Sequence, residues 1–385
     1  MPAGSGASFA AGRGARLAAA AGGAGGAGTG RAGLAGLAGG RAGVADVARW
    51  IALRAAAALA ALLVVILIAG FLIGHQASGP TAAWARSTGQ DALWMGHAWV
   101  DGGHSQADLG RLAARIRPSG IRDVYVFAGQ LDARGRLSPA QYPGARTFLA
   151  SFRAALPHVR VSAWLGGVLG GGHISLGDAA TRGSIVAVAS AVLRAGFSGV
   201  HYDLEPVSNG DSGLLSLLDA TRRLHPAPLS VAVPKLEPLP GIRLPAQVVM
   251  QRPVFWTTSY LTEVASRVNQ VALMSYDTGM YFSSWYAGYV KRETVLALHA
   301  MPRQVGLVVG LPAYHTDNLG HHVGAESVAA AVHGIRVGLT SAGHPPPPSG
   351  AAASGVAPFG VALFADYSAT PQDWAAYMSD WVRPG

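Results

Sequence analysis

The chain has 385 residues, half of them hydrophobic, enough to bury a large core as one big domain or two smaller ones. It contains no cysteine, which excludes disulfides and thiol catalysis. The formal charge of +9 suggests nucleic acid, but its distribution argues against that: Arg13, Arg16, Arg31, Arg41, Arg49 and Arg54 face only Asp46, and the remainder is spread thinly with no basic run beside stacked aromatics.

Residues 1–49 are rich in Ala and Gly, with scattered arginines and no periodic apolar face, which is the composition of a disordered tail. Residues 50–74 read as a transmembrane signal-anchor. Inside them "AAAALAALLVVILIAGFLI", Ala55 to Ile73, carries no charge, and as a helix it would be about 28 Å long, close to the ~30 Å hydrocarbon core of a bilayer. A buried globular helix is one alternative. A cleavable signal peptide is another, with "AWA" at Ala83–Ala85 as its small-x-small site. The arginines lie ahead of the run, so the N-terminus is expected to be cytoplasmic and the rest extracytoplasmic, a single-pass cell-membrane protein. A short polar linker, 75–91, follows.

From 92 to 385, apolar strand-like runs alternate with helix-like segments. The strands are 93–100, 122–129, 159–167, 199–205, 229–236, 269–277, 304–314 and 359–367, and the clearest helices are 105–118, 182–196, 324–338 and 370–382. Strands this apolar, each followed by a helix, predict parallel βαβ units buried on both faces. Eight of them fit a (β/α)₈ TIM barrel of the α/β class. A doubly wound open sheet is the alternative, but no Gly-rich phosphate loop follows the first strand. A Pro/Gly/Ala-rich stretch at 343–358 interrupts the last unit as a flexible surface insertion.

The fourth strand ends in paired acids: "GVHYDLE", Gly199 to Glu205. Side chains two apart point the same way, so His201, Asp203 and Glu205 form one inward column with rungs about 6.6 Å apart. Two carboxylates at the mouth of an apolar barrel are costly unless used or paired, and their closeness pushes their proton affinities apart. A structural ion network is the bland alternative.

The segment resembles the D-G-x-D-x-D-x-E signature of glycoside hydrolase family 18, the chitinase-like family, through Gly199, Asp203 and Glu205; Ser198 and His201 stand where the family has its first two aspartates. The resemblance continues in register. "LMSYDTG" is similar to the sixth-strand M-x-Y-D through Met274, Tyr276 and Asp277, and "WLGG" to the third-strand S-x-G-G, with Trp164 for Ser. "VGLPAYH" resembles the seventh-strand G-x-P-x-Y through Gly310, Pro312 and Tyr314, and Phe364 takes the place of the usual eighth-strand Trp.

This resemblance implies hydrolysis of β-linked N-acetylglucosamine-containing glycans, chitin-like or peptidoglycan, by substrate-assisted catalysis without a cofactor. Glu205 would be the general acid, Asp203 would orient the acetamide, and Tyr276 would hydrogen-bond its carbonyl. Asp277, Trp164, Phe364, Tyr314 and Trp99 would bind sugar; Trp94, Trp256 and Tyr281 are further aromatic candidates. Met274 reads as barrel packing. His201 is expected to hold Asp203 by donating an N–H, keeping it anionic, with a packed core histidine as the alternative. His315, His321 and His322 lie in a loop without zinc-ligand spacing, so no metal is expected. His97 and His104 read as polar lining. A non-catalytic carbohydrate-binding barrel at the cell surface, or an envelope protein with a relic site, are the competing functions.

Overall fold

The computed structural model describes residues 38–345 and 358–384. The expected tail up to residue 37 and most of the insertion at 343–358 therefore lie outside the described residues. Two units are distinguished, Met1–Val64 and Val65–Gly385. Helix α1, Ala38–Gln76, begins inside the stretch expected to be tail; its alanine-rich composition has high helix propensity, and glycines at its start do not prevent it. Among the described residues, no helix is long and apolar enough to cross a membrane. The span expected at 50–74 falls in part on side chains outside the described set.

In the second unit the elements after α1 follow in order: β1 (Asp91–Met95), α2 (Ala98–Asp101), α3 (Gln106–Ile116), β2 (Ile121–Gln130), α4 (Ala145–Ala155), β3 (Arg160–Val168), α5 (Ala179–Ala195) and β4 (Gly199–Glu205). Then come α6 (Ser212–Arg222), β5 (Leu229–Val233), α7 (Arg243–Met250), α8 (Thr258–Ala265), β6 (Gln270–Leu273), α9 (Ser283–Ala300), β7 (Gly306–Pro312), α10 (Val328–Ala342), β8 (Phe359–Phe364) and α11 (Pro371–Ala376), which continues as a π-helical turn over Tyr377–Val382. The strands pair in sequence order, all parallel, and β8 closes on β1. The open-sheet alternative is thereby excluded.

Local signals account for the helix starts. Ser105 and Asp108 form a capping box on α3, as do Thr370 and Asp373 on α11, while Asp178, Asp211, Thr257 and Ser327 cap α5, α6, α8 and α10. Strand residues alternate between two cores. Leu93, Met95, Val124, Val126, Tyr202 and Leu204 face the helices, whereas Ala92, Trp94, Tyr125, Trp164, Ala272, Val308 and Ala362 fill the barrel. Deeper in, Arg160 donates twice to Asp123, at 2.7 Å each, and Gln270 bridges Asp123 to the Tyr125 hydroxyl.

One expectation needs correction. The first strand stops at Met95 rather than Val100, because 98–101 turn into α2 and carry Trp99 away from the barrel axis. The linker 75–91 is fastened to α10: His333 Nε2 donates to the Ala77 carbonyl at 2.8 Å, Ala82 N–H donates to Thr340 Oγ1 at 2.9 Å, and Arg336 Nε donates to the Ala85 carbonyl at 2.9 Å. The last turns of α1 lie against α9, where Gly288 admits them: a Cβ there would stand 1.8 Å from the Ile73 carbonyl oxygen.

Candidate active site

The fourth strand arranges its side chains as period-two geometry requires. Tyr202 and Leu204 join the outer core, and His201 joins the barrel filling. Asp203 is half-buried above it, and Glu205 emerges at the rim.

His201 does not hold Asp203. Trp94 Nε1 donates to its Nε2 at 3.1 Å, so the proton sits on Nδ1, which donates to Ser230 Oγ at 2.9 Å. The ring lies flat on Tyr125, centroids 3.8 Å apart, and burial lowers its pKa to about 3. It is a satisfied, neutral core histidine, because β1 and β5 offer a donor and an acceptor at its own level. The expectation that it keeps Asp203 anionic falls with that bond.

Trp164 takes that place. Its Nε1 donates to Asp203 Oδ2 at 3.0 Å, while Asp203 Oδ1 has no partner. Burial first, then the neighbouring Glu205, raise the Asp203 pKa to about 8, against the opposing pull of the Trp164 bond. Glu205 is raised as well, chiefly by desolvation, and Asp277 adds to that while Lys235 and Arg252 counter it. Its exposure to solvent at the rim tempers the shift. Between them the two carboxyls hold a proton at neutral pH, as acid–base work at this pair requires.

The opposite wall comes from the ends of β6, β7 and β8. Tyr276 is buried, and burial first, then Asp203 and Glu205, raise its phenol well above the ordinary value. It stacks on Phe364 at 5.4 Å, and Gly310 makes room, since a Cβ there would be 2.6 Å from the Tyr276 ring. Phe364 also meets Trp94, Trp164 and Tyr314 edge-on. The Tyr314 hydroxyl donates to Asp277 Oδ1, and His321 stacks on Tyr314 with its Nδ1 3.7 Å from Asp277 Oδ1 and 3.4 Å from Glu326 Oε2. Asp277, in the left-handed region at φ 56°, presents a half-exposed carboxylate. Met274 pairs its N–H with the Val233 carbonyl and is half-buried.

Other sequence candidates fall elsewhere. Trp99 is buried on α2, its Nε1 donating to Asp366 Oδ2 at 2.5 Å and its ring against His104 and Phe148. Trp256 is fully buried and donates to the Val207 carbonyl. Tyr281 is exposed and stacked on His322. His97 hydrogen-bonds the Phe127 carbonyl, and His315 pairs with Asp373. Among the described residues no cluster suited to a metal ion occurs.

Sequence reading missed Lys235. At the end of β5, its Nζ donates to the carbonyls of Tyr276 at 2.9 Å and Asp277 at 3.0 Å, fixing the backbone that carries both side chains. Burial lowers its pKa while Asp277, Glu205, Glu326 and Glu293 raise it. The available signal was its rarity: the chain has only Lys235 and Lys291 against many arginines. Tyr367, exposed and electrostatically coupled to Asp203, was missed too.

No protein-family model and no curated protein matches the chain. Solved structures do. The spore cortex-lytic enzyme SleL of Bacillus megaterium QM B1551 aligns at a TM-score of 0.51 and 12% identity, over 77% of this chain and 75% of that one. A family 18 chitinase from Cycas revoluta, solved with (GlcNAc)3, aligns at 0.48 and 15%, over 75% and 97%. At such identities the likeness is one of fold.

Proposed function

We propose that the chain is a divergent glycoside hydrolase resembling family 18, cleaving β-linked N-acetylglucosamine-containing glycans, chitin-like or peptidoglycan. One observation carries this reading: Asp203 and Glu205 share the barrel mouth with raised pKa values, and Tyr276 stands within electrostatic reach of both. In the proposed cycle Glu205 gives its proton to the glycosidic oxygen as the substrate's acetamide oxygen attacks C1 and the C1–O bond breaks. With the pair's proton on Glu205, Asp203 is the anion: held by Trp164, it accepts from the acetamide N–H and balances the positive charge on the ring so formed. Tyr276 donates to the acetamide oxygen. Glu205 then takes a proton from water as it opens that ring, which restores the acid.

The unmatched Oδ1 of Asp203 supports this role, because a buried acceptor without a partner awaits a donor. The departures from the family pattern do not remove any group this cycle needs: His201 and Phe364 replace neighbours, not the acid. We also propose that the uncharged run 55–73 anchors the protein in the cell membrane with the barrel extracytoplasmic, on the strength of its length and the arginines ahead of it.

Glu205→Gln keeps shape and reach but cannot donate the proton. Its turnover of N-acetylglucosamine oligomers or peptidoglycan should fall by about 10²–10⁴ with affinity kept. An unchanged rate would refute the assignment, and binding without turnover by the unaltered protein would replace the enzyme with a sugar-binding barrel.

A further inference from the structure

We infer that the connection between β5 and α8 is a bilayer-contact surface, seated at the headgroup–acyl boundary of an anionic membrane. Outside α1, five of the nine exposed large hydrophobics among the described residues lie there: Leu239, Ile242, Leu244, Val248 and Met250. Leu244 and Val248, one helical turn apart on α7, are 62% and 70% exposed. Five exposed large hydrophobics within residues 239–250 are an unusual concentration on a surface meant only for water.

Charge selects the occupant. In the connection Lys235, Arg243 at the start of α7 and Arg252 just beyond it outnumber the one acid, Glu237, whose Oε1 accepts from the Gly241 and Arg243 N–H groups. Apolar side chains framed by arginines match the boundary between acyl chains and anionic headgroups; a second copy would set like charges against each other. The patch also continues into α1. Ile68, Leu72 and Ile73 line a cavity of about 320 Å³ together with Pro238, Leu239, Tyr289 and Arg292, and Ile68, Phe71 and Leu72 are themselves exposed. The surface that meets lipid in the connection is therefore the same one that the proposed anchor presents in its last turns.

This surface has a consequence for the site. The connection springs from the strand end that carries Lys235, and Arg252 within it acts electrostatically on Glu205. A bilayer seated here lies beside the mouth, which places membrane-proximal glycan within reach.

The chain has no cysteine, so single labels are clean. Leu244→Cys, Val248→Cys and the control Leu319→Cys, whose native side chain is 93% exposed, would each carry an environment-sensitive NBD group. The full-length proteins go into vesicles of phosphatidylcholine and phosphatidylglycerol. Labels at 244 and 248 should shift to the blue, brighten several-fold and be quenched by nitroxide-bearing lipid, while the label at 319 stays water-like. Labels at 244 and 248 as wet as that at 319 overturn the inference. Blue-shifted labels that nitroxide lipid fails to quench overturn it as well, assigning the patch to a protein partner. Alkaline carbonate extraction reads the span separately: release of the chain from vesicles whose labels had been quenched removes the span and leaves this surface standing.

Discussion

At the scale of single residues, the proton inventory of the mouth governs what can be tested. Asp203 has its pKa raised, so the folded state binds its proton more tightly than the unfolded chain does. Its contribution to stability is therefore full below the ordinary carboxylate range and is lost as pH rises toward about 8. Asp203→Asn, which can still accept from Trp164, should raise the melting temperature at pH 8–9 but not at pH 4, while abolishing turnover; equal effects at both pH values would contradict this. Trp164→Phe deletes the one bond that favours the Asp203 anion. The pKa of Asp203 should move further up, the matching limb of the pH–rate profile should follow it, and kcat should drop by about 10–100-fold, the range of a hydrogen bond to a charged group. His201 gives the opposite pattern. Its pKa is lowered by burial, so stability is present above the ordinary histidine value and is lost as pH falls from there toward about 3. His201→Phe should flatten that acid dependence and leave the Trp94 N–H unpaired, since Ser230 still donates to the Val200 carbonyl; this costs about 1–3 kcal/mol for the one buried group, without moving the pH–rate profile. A shift of that profile in His201→Phe would restore a direct role at the site.

Among elements, the decisive contacts are backbone on backbone. The last turns of α1 reach α9 only because position 288 lacks a side chain, and Gly70 and Gly74 leave space for the Trp285 ring in the same way. Gly288→Val should push Val65–Gln76 off α9, expose the 77–90 segment to limited proteolysis and lower the melting temperature, with kcat on short oligomers unchanged. Proteolysis at the unaltered rate would show that this packing is dispensable. The segment after β6 is held differently: Lys235 replaces strand pairing there, since β6 ends at Leu273 and the chain beyond it carries Tyr276 and Asp277 as irregular backbone. A cation on two carbonyls is how this site stays shaped where the ladder has stopped.

For the whole molecule, the barrel and the proposed anchor make a joint claim about topology. Protease added to intact cells should remove the barrel and spare the N-terminal tail; a barrel protected until lysis would sink the extracytoplasmic placement. Closure of the sheet leaves no open edge, and Asp91 helps fasten the C-terminus to it by accepting from Tyr377 and Trp381. The mouth thus sits on a rigid rim, and its residues come from the ends of β3 to β8.

Apolar runs between helical segments located all eight strands, and period two gave the two faces of β4, because alternation of side chains is a local property of extended backbone. Composition likewise marked the uncharged run and the acids at the strand end. The partners of buried groups could not be read in this way. His201 and Asp203 are neighbours in sequence, yet their hydrogen bonds go to Trp94, Ser230 and Trp164, from β1, β5 and β3. Lys235 acquires its role only when β5 is laid beside β6. Trp99 pairs with Asp366 because a short helix begins where a strand was expected to continue. A strand's sequence determines which side chains face inward, but a buried donor pairs with whichever acceptor the closed sheet brings within about 3 Å, and that distance is set by tertiary structure.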